Sequence, residues 1–165
     1  LSRGLGDVYK RQVVPIDYSP VSNEVIRKAD EWALDHDVEL FFLYVQETPE
    51  MMNVSAVGGG YYSTSSDYES RLRHSTKQVE ELEQQLRQRV KENHVKSPNQ
   101  IRIDFGKLYV KILELCEGLM ASTLIMASHS HTMAGRLIMR SNTDYLLHHA
   151  HCSMYILKNY ELDNH

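Results

Sequence analysis

Hydrophobic and polar residues follow one another along this chain in blocks that switch between the period of a strand and the period of a helix. Residues 13–17 and 38–45 are short runs rich in β-branched and aromatic residues, and the second run is almost continuously apolar, as a strand buried in a parallel sheet should be. Ser19 and Pro20 lie between them and supply an N-cap and a first-turn proline. The apolar residues that follow recur every four positions, at Val21, Val25, Ala29 and Ala33. The chain therefore opens with a predicted strand, helix and strand.

The remaining sequence continues this alternation. Ser66 and Glu69 form a capping box, and apolar residues then repeat every three or four positions to about Asn93, which predicts one long amphipathic helix. The later elements are predicted as a strand from Ile101 to Phe105, a helix from Val110 to Leu119, a strand from Thr123 to Ala127, a last helix beginning at Asn142 or Thr143, and a strand from Cys152 to Lys158.

Strands that alternate with helices are joined by right-handed crossovers, which place the strands in parallel and cover the sheet on both faces. We therefore predict a single α/β domain, a Rossmann-like, doubly wound, five-stranded parallel sheet flanked by four helices. The length of 165 residues suits one domain. We expect residues 1–7 to be an extension that contributes nothing to the fold, and residues 47–65, rich in Gly, Ser and Tyr, to form a flexible loop.

Charge and composition exclude several classes of function. The formal net charge of -4 argues against a nucleic-acid binder, which usually has a basic face. No apolar run approaches the length of about 18 residues that indicates a membrane span, so no membrane partner is expected. Two cysteines, Cys116 and Cys152, are too few for a disulfide scaffold, and their spacing does not indicate a zinc site. These features predict a protein of the reducing cytoplasm.

The segment from Ala127 to Cys152 carries the candidate chemistry. A strand, a loop of small residues and then a helix is how α/β proteins build a cradle for phosphate. The loop has a single glycine, Gly135, and carries Met133 and Arg140 where a cradle favours residues without side chains. The pattern alone leaves open a nucleotide site, a site that has been lost and a loop without that function.

Several stretches resemble the universal stress protein family. VVPIDYSPVSNEVIRKADEWA looks like the opening of such a protein, and DVELFFLYV resembles its second strand. STLIMASHSHTMAGRLIMRSNTDYLLHHAHCSMYILK matches its C-terminal block almost position by position. The likeness runs from about Tyr9 to Lys158, apart from the 47–66 loop. It implies a Rossmann-like sheet of five strands with four helices, a dimer, and a role in stress tolerance rather than classical catalysis.

The resemblance also implies where a nucleotide would bind. Many family members hold ATP or AMP through Gly-x-x-Gly-x9-Gly followed by Ser or Thr, and these glycines correspond here to Ala127, Ser130 and Arg140, with Ser141 keeping the hydroxyl. The family's acidic, adenine-facing and pocket-lining positions correspond to Asp17, Val45 and Met126. The whole candidate nucleotide pocket comprises Pro15, Asp17, Val45, Met126, Ala127, His129, Ser130, Arg140, Ser141 and Asn142.

The three replaced glycines favour a pocket that no longer holds ATP, as in the branch of the family that lacks the motif. A Cβ at Ser130 costs roughly 1–2 kcal/mol if the backbone there needs a positive φ. Arg140 either fills the phosphate volume or binds phosphate through its guanidinium. We therefore expect no cofactor. We also expect no enzymatic activity, since Asp17 has no partner base identifiable from sequence. The alternative is an ATP- or AMP-binding sensor, or a slow ATPase, that uses Arg140 and Ser141 for the phosphates.

The histidines and cysteines raise one further alternative. His129, His131, His148, His149 and Cys152 are residue types that bind zinc, so a His-rich metal-binding protein is a third reading. The preferred interpretation is that His149 and His151 interact with the C-terminus of the last helix, where a partly charged imidazole is favourable, and that no metal binds. Both cysteines are predicted to be packed residues.

Finally, the predicted strand from Cys152 to Lys158 lies at an edge of the sheet. It is apolar over Met154 to Leu157 and has no proline or charge before Lys158 to protect that edge. We therefore predict a homodimer through this strand, formed by a two-fold operation.

Overall fold

A computed structural model describes residues 10–46, 65–128 and 135–157, and within helices it describes no side chains for residues 65–75 and 135–141. The strands are β1 (Lys10–Pro15), β2 (Val38–Gln46), β3 (Asn99–Phe105), β4 (Thr123–Ala127) and β5 (Ser153–Leu157). The helices are α1 (Val21–His36), α2 (Ser65–Glu92), α3 (Leu108–Gly118) and α4 (Gly135–His149). The strands form one sheet, all parallel, in the order β3-β2-β1-β4-β5. The predicted α/β class, the five strands and the four helices are confirmed.

Neighbouring residues of the central strand face opposite layers of helices. Val14 lies in one apolar cluster with Leu40 and Phe42 of β2, and this cluster receives the buried faces of α1 and α2. Val13 lies in the other cluster with Leu124 of β4, and this cluster receives α3 and α4. Because side chains alternate across a strand, one β-branched dipeptide contributes to both halves of the core. The nearly continuous apolar run predicted for residues 38–45 is explained because helices cover both faces of the sheet.

Two boundaries differ from the sequence prediction. β1 spans Lys10–Pro15 rather than residues 13–17, since its polar first residues pair with Val38, Glu39 and Leu40 of β2 through the backbone, which does not require apolar side chains. α4 begins at Gly135, well before the predicted start at Asn142 or Thr143. Asn142 and Thr143, predicted as the start of the helix, lie inside it.

A buried carboxylate on α1 fixes the turn that leads into β3. Asp30 is only 8% exposed, and its carboxylate accepts hydrogen bonds from the backbone N–H groups of Lys96 at 3.1 Å and Ser97 at 2.8 Å. The next residue, Pro98, accepts a hydrogen bond from the N–H of Leu40 at 2.9 Å. Asp30 therefore holds the chain where β3 begins to pair with β2.

Replacing Asp30 with alanine should lower the free energy of unfolding by about 3 kcal/mol, because the buried N–H of Ser97 and the partly buried N–H of Lys96 would lose a charged acceptor. Chemical denaturation monitored by circular dichroism measures this change. Asp35→Ala is the matched control, since Asp35 is exposed on the same helix and its loss should change the stability by less than about 0.5 kcal/mol. Equal effects of the two substitutions would contradict the structural role of Asp30.

Candidate functional site

The candidate pocket lies at the carboxyl edge of the sheet, beside the point where the strand order reverses. β1 is the central strand, with β2 on one side and β4 on the other. Pro15 ends β1, Val45 is the penultimate residue of β2 and Ala127 ends β4. In open α/β sheets, ligands bind in the crevice outside the carboxyl ends of the strands at such a reversal. The fold thus brings three separate segments of the chain to one edge, with Pro15 and Asp17 on the first, Val45 on the second and Ala127 on the third.

These residues are buried to different degrees. Pro15, Val45 and Ala127 are half-buried, and Val45 packs against the cluster below α3 and α4. Met126 is 2% exposed and is a member of that same cluster, together with Val13. Within the described part of the chain, Met126 is therefore a core side chain beneath the candidate pocket.

Asp17 organises the turn from β1 into α1. Its Oδ1 accepts a hydrogen bond from the Ser19 N–H at 2.9 Å, another from the Ser22 hydroxyl at 2.6 Å, and a third from the Ser19 hydroxyl. The Ser22 oxygen accepts the Asp17 N–H at 2.9 Å in return. The predicted N-cap at Ser19 is wrong by one residue, since the helix is capped at Pro20, which makes no side-chain cap bond. The Asp17 carboxylate therefore accepts the hydrogen bonds that close this turn.

The other oxygen of this carboxylate has a different environment. Among the described residues, Oδ2 of Asp17 accepts no hydrogen bond, whereas Oδ1 accepts three. A carboxylate oxygen at the carboxyl edge of the sheet can accept a hydrogen bond from a ligand hydroxyl. Within the described ranges, Asp17 therefore combines structural contacts on one oxygen with an acceptor on the other that has no partner.

Two tyrosines and an arginine accompany Asp17, and sequence analysis did not identify them. The rings of Tyr18 and Tyr44 meet edge to face with centroids 5.2 Å apart, and the Arg89 guanidinium of α2 donates to the carbonyl of Ser19. Burial raises the pKa of Tyr44, and the negative charge of Asp17 raises it further. Burial and Tyr44 raise the pKa of Tyr18, whereas Arg89 opposes that rise. Tyr18 follows Asp17 directly, but nothing in the sequence indicates that Arg89 approaches this turn.

An open groove extends from this cluster along α2. It encloses about 600 Å³ and is lined by Tyr18 and by polar residues of α2, among them Gln88, Arg89 and Glu92. Since its floor is made by long polar side chains rather than by the ends of strands, it is distinct from the crevice between β1 and β4.

The residues predicted to contact phosphate are described only in part. His129 and Ser130 lie outside the described residues, and Arg140 and Ser141 are described by their backbone alone. Asn142 is buried in α4, and its side-chain nitrogen has no hydrogen-bond partner among the described residues. Since α4 begins at Gly135, the N–H groups of Arg140, Ser141 and Asn142 belong to the interior of the helix and donate to carbonyls four residues earlier.

The histidines at the end of α4 make contacts within the helix. Nδ1 of His149 lies 2.8 Å from the carbonyl oxygen of Tyr145, so this nitrogen donates the hydrogen bond, and the two rings stack with centroids 3.9 Å apart. The predicted interaction with the end of the helix is confirmed for His149, whereas for His151 it stays a prediction. Nowhere in the described ranges do three His, Cys, Asp or Glu side chains converge in a group that could hold a metal ion.

Comparison with known proteins identifies the family. The sequence model of the universal stress protein family matches residues 8–158, so this chain belongs to that family. Among curated proteins, no sequence matches the chain. Within the described residues, no helix has the length and apolar character needed to cross a membrane.

Solved structures of universal stress proteins share the fold at low sequence identity. A universal stress protein from Lactobacillus plantarum is 18% identical, with a TM-score of 0.62 over 90% of this chain and 97% of its own. A universal stress protein solved in complex with cAMP is 17% identical, with a TM-score of 0.57 over 91% and 97%. One from Archaeoglobus fulgidus, solved with dAMP, is 14% identical, with a TM-score of 0.55 over 90% and 98%.

The proximity of Asp17 to Tyr44 can be tested by titration. A raised pKa means that the folded state favours the neutral phenol, so this contribution to stability is complete below pH 10 and is lost as the pH rises through the folded pKa. Asp17→Asn should lower the pKa of Tyr44 because it removes the nearby negative charge, while the asparagine oxygen can still accept the turn's hydrogen bonds. Ring carbon NMR shifts followed against pH, assigned with Tyr44→Phe, measure the change. Asp37→Asn is the control and should leave the titration of Tyr44 unchanged.

Proposed function

We propose that this universal stress protein is a non-enzymatic, cytoplasmic module of the stress response or of signalling, and that its pocket does not hold ATP tightly. Family membership supports the general role. The proposal that the pocket is degenerate rests on the position of α4. This helix begins at Gly135, so Arg140, Ser141 and Asn142 lie inside it.

The physical reason lies in the backbone N–H groups. A helix binds phosphate with the N–H groups of its first turn, which have no partner inside the helix. The family resemblance would place Arg140 and Ser141 at such a helix start. In this structure they follow the first turn, so their N–H groups are already used within α4. A nucleotide would meet a continuous helix where the family motif supplies free donors.

The side chains at the motif positions point to the same conclusion. Ala127 stands in a strand, where its methyl group is tolerated, whereas Ser130 and Arg140 add larger groups at the other two glycine positions. Each added side chain limits how closely the backbone can approach a phosphate. Loss of all three glycines supports loss of tight ATP binding.

A second candidate function is an ATP- or AMP-binding sensor or slow ATPase. Two structural neighbours were solved with adenine nucleotides, cAMP and dAMP. In this chain Oδ2 of Asp17 and the half-buried Val45 would face the nucleoside, and the Arg140 guanidinium and Ser141 hydroxyl would replace the lost glycine contacts.

Calorimetric titration of the purified full chain with ATP and with AMP, each with Mg²⁺, distinguishes the two functions. We expect no saturable heat and no nucleotide retained on gel filtration. Tight binding, or release of inorganic phosphate from ATP that stops in Asp17→Ala, would favour the sensor or ATPase.

Two substitutions at Arg140 identify what blocks the pocket. Ser130→Gly combined with Arg140→Gly should create or strengthen ATP binding, because glycine removes the side chain and also weakens the helix there by roughly 0.5–1 kcal/mol. Ser130→Gly combined with Arg140→Ala removes the side chain but keeps a strong helix former. If the continuous helix is the obstacle, only the glycine variant gains affinity in calorimetry. If either variant instead abolished binding seen in the parent protein, Arg140 would be a phosphate ligand and the proposal would be wrong.

The proposed module is a homodimer through β5. β5 pairs with β4 and is the last strand of the sheet order, and Tyr155 on it is 49% exposed. The Ser153 N–H and the Leu157 carbonyl bond toward the β4 side, at 3.2 Å and 2.9 Å. In a parallel ladder, alternate residues turn their backbone groups to the same side, so the N–H of Ile156 faces the outer edge. Antiparallel pairing with a second copy would satisfy that edge.

Ile156→Pro should shift the protein from dimer to monomer, because it removes an outward N–H that a second strand would use while leaving the bonds to β4 in place. Sedimentation velocity over a range of concentrations measures the shift. Ile156→Val is the matched control, since it keeps both the N–H and the apolar character and should remain dimeric. A wild-type protein that sediments as a monomer would rule out this interface.

A further inference from the structure

Both cysteines line one cavity at the edge of the sheet opposite the candidate nucleotide pocket. The cavity encloses about 530 Å³, and Cys116, Cys152, His149 and His151 are among the residues that line it. Met120, at its rim, is 80% exposed. Cys152 precedes β5 and Cys116 lies in the last turn of α3, so the site is at the amino ends of β4 and β5. It is therefore separate from the crevice between β1 and β4.

Backbone hydrogen bonds hold the two cysteine segments together. The carbonyl of Cys116 accepts the Ala121 N–H at 2.8 Å, which closes the turn after α3. The adjacent Ser122 carbonyl accepts the N–H of Ser153 at 3.2 Å, and Thr123 is paired with Ser153 in the sheet. This short path connects the backbone of Cys116 with the residue that follows Cys152. The cysteines are thus neighbours because of the β4–β5 register rather than because of a flexible loop.

The two thiols differ in exposure and in acidity. Cys116 is 7% exposed, whereas Cys152 is only half-buried, and neither forms a disulfide. Interaction with the neighbouring Cys116 thiol lowers the pKa of Cys152 to about 7 despite the opposing effect of burial. The same interaction, together with burial, raises the pKa of Cys116 well above its ordinary value. The ionisable side chains that also line the cavity are Glu117, His149 and His151.

We propose that Cys152 and Cys116 form a thiol oxidation site that takes small hydroperoxides, with Cys152 oxidised first and Cys116 closing an internal disulfide. The cavity admits a small oxidant to the more exposed sulfur, and the buried sulfur that lines the same cavity is placed to react next. A reactive, accessible cysteine beside a resolving cysteine is the arrangement of a reversible redox site.

The reaction has two steps. The Cys152 thiolate attacks the nearer oxygen of the hydroperoxide, the O–O bond breaks, and Cys152 becomes a sulfenic acid while the other oxygen leaves and takes a proton as an alcohol or water. The Cys116 sulfur then attacks the Cys152 sulfur, the S–O bond breaks, and hydroxide leaves with the Cys116 proton as water. The hydroperoxide is reduced by two electrons, and the two thiols are oxidised to one disulfide. A dithiol reductant restores the starting state.

The wild-type full chain tests the pair directly. Protein treated with one equivalent of hydrogen peroxide at pH 7, alkylated and digested without reductant should give a single cross-linked peptide that joins Cys116 to Cys152. Dithiothreitol should return both thiols. Disulfides only between molecules, or a sulfenic acid at Cys152 that persists without cross-linking, would overturn the proposal.

Variants assign the roles of the two sulfurs. Cys116→Ser should leave a sulfenic acid at Cys152 that dimedone traps, whereas Cys152→Ser should leave Cys116 unmodified by the same dose of peroxide. Circular dichroism verifies that each variant is folded. Trapping at Cys116 instead of Cys152 would reverse the assignment and refute the proposal as stated.

The pH dependence of iodoacetamide labelling gives a further readout that does not depend on peroxide. The labelling of Cys152 should have a midpoint near pH 7 in the wild-type chain and should move toward 9.0 in Cys116→Ala, which lacks the neighbouring thiol. Cys116→Ser keeps a hydroxyl in place of that thiol and should fall between them. A midpoint that is the same in all three proteins would show that Cys116 does not act on Cys152.

Discussion

Burial of the central strands on both faces is the constraint on which the rest of this structure depends. Val13 and Val14 stand side by side in β1, are fully buried, and belong to opposite halves of the core. A strand that must bury both faces needs helices above and below it, and parallel strands obtain them through helical crossovers. Both candidate sites result from this arrangement, because all carboxyl ends meet at one edge of the sheet and all amino ends at the other.

The carboxyl edge carries the candidate nucleotide pocket. Asp17 and Val45 are positioned by β1 and β2, whose interior residues are buried, and so this half of the pocket is maintained by the same forces as the core. The phosphate half depends instead on where α4 begins. Because α4 extends back to Gly135, its backbone donors at Arg140 and Ser141 are used within the helix. One edge of the sheet therefore combines the Asp17 carboxylate with a helix whose backbone donors at the motif positions are already used.

The amino edge has a different chemistry. There the turn after α3 is hydrogen-bonded to the start of β5, and this connection brings Cys116 beside Cys152. The two edges share the β4 strand but no side chain, so oxidation of the cysteines and occupation of the pocket can be studied separately. The strand that begins after Cys152 is also the exposed edge strand, which places the thiols next to the proposed dimer interface.

The sequence by itself determined the kinds of elements, their order and the family. Apolar residues repeat with the period of a helix on α1 and run continuously in β2. These patterns predict the elements correctly because the sequence of each element determines which of its faces is buried. The same patterns placed Asp17, Val45 and Ala127 at strand ends, where the fold brings them to one edge. The motif comparison also identified the three replaced glycines without any coordinates.

Tertiary structure alone decided the contacts that join distant segments. Three such contacts join residues far apart in sequence. The Asp30 carboxylate binds the turn before β3, Arg89 binds the carbonyl of Ser19, and the Cys116 thiol lies beside that of Cys152. Such contacts depend on strand order, register and the packing of helices, none of which is encoded in the residues of a single element. The start of α4 is a similar case, because the sequence pattern predicted that the helix begins at Asn142 or Thr143, whereas both residues are buried within the helix once it packs.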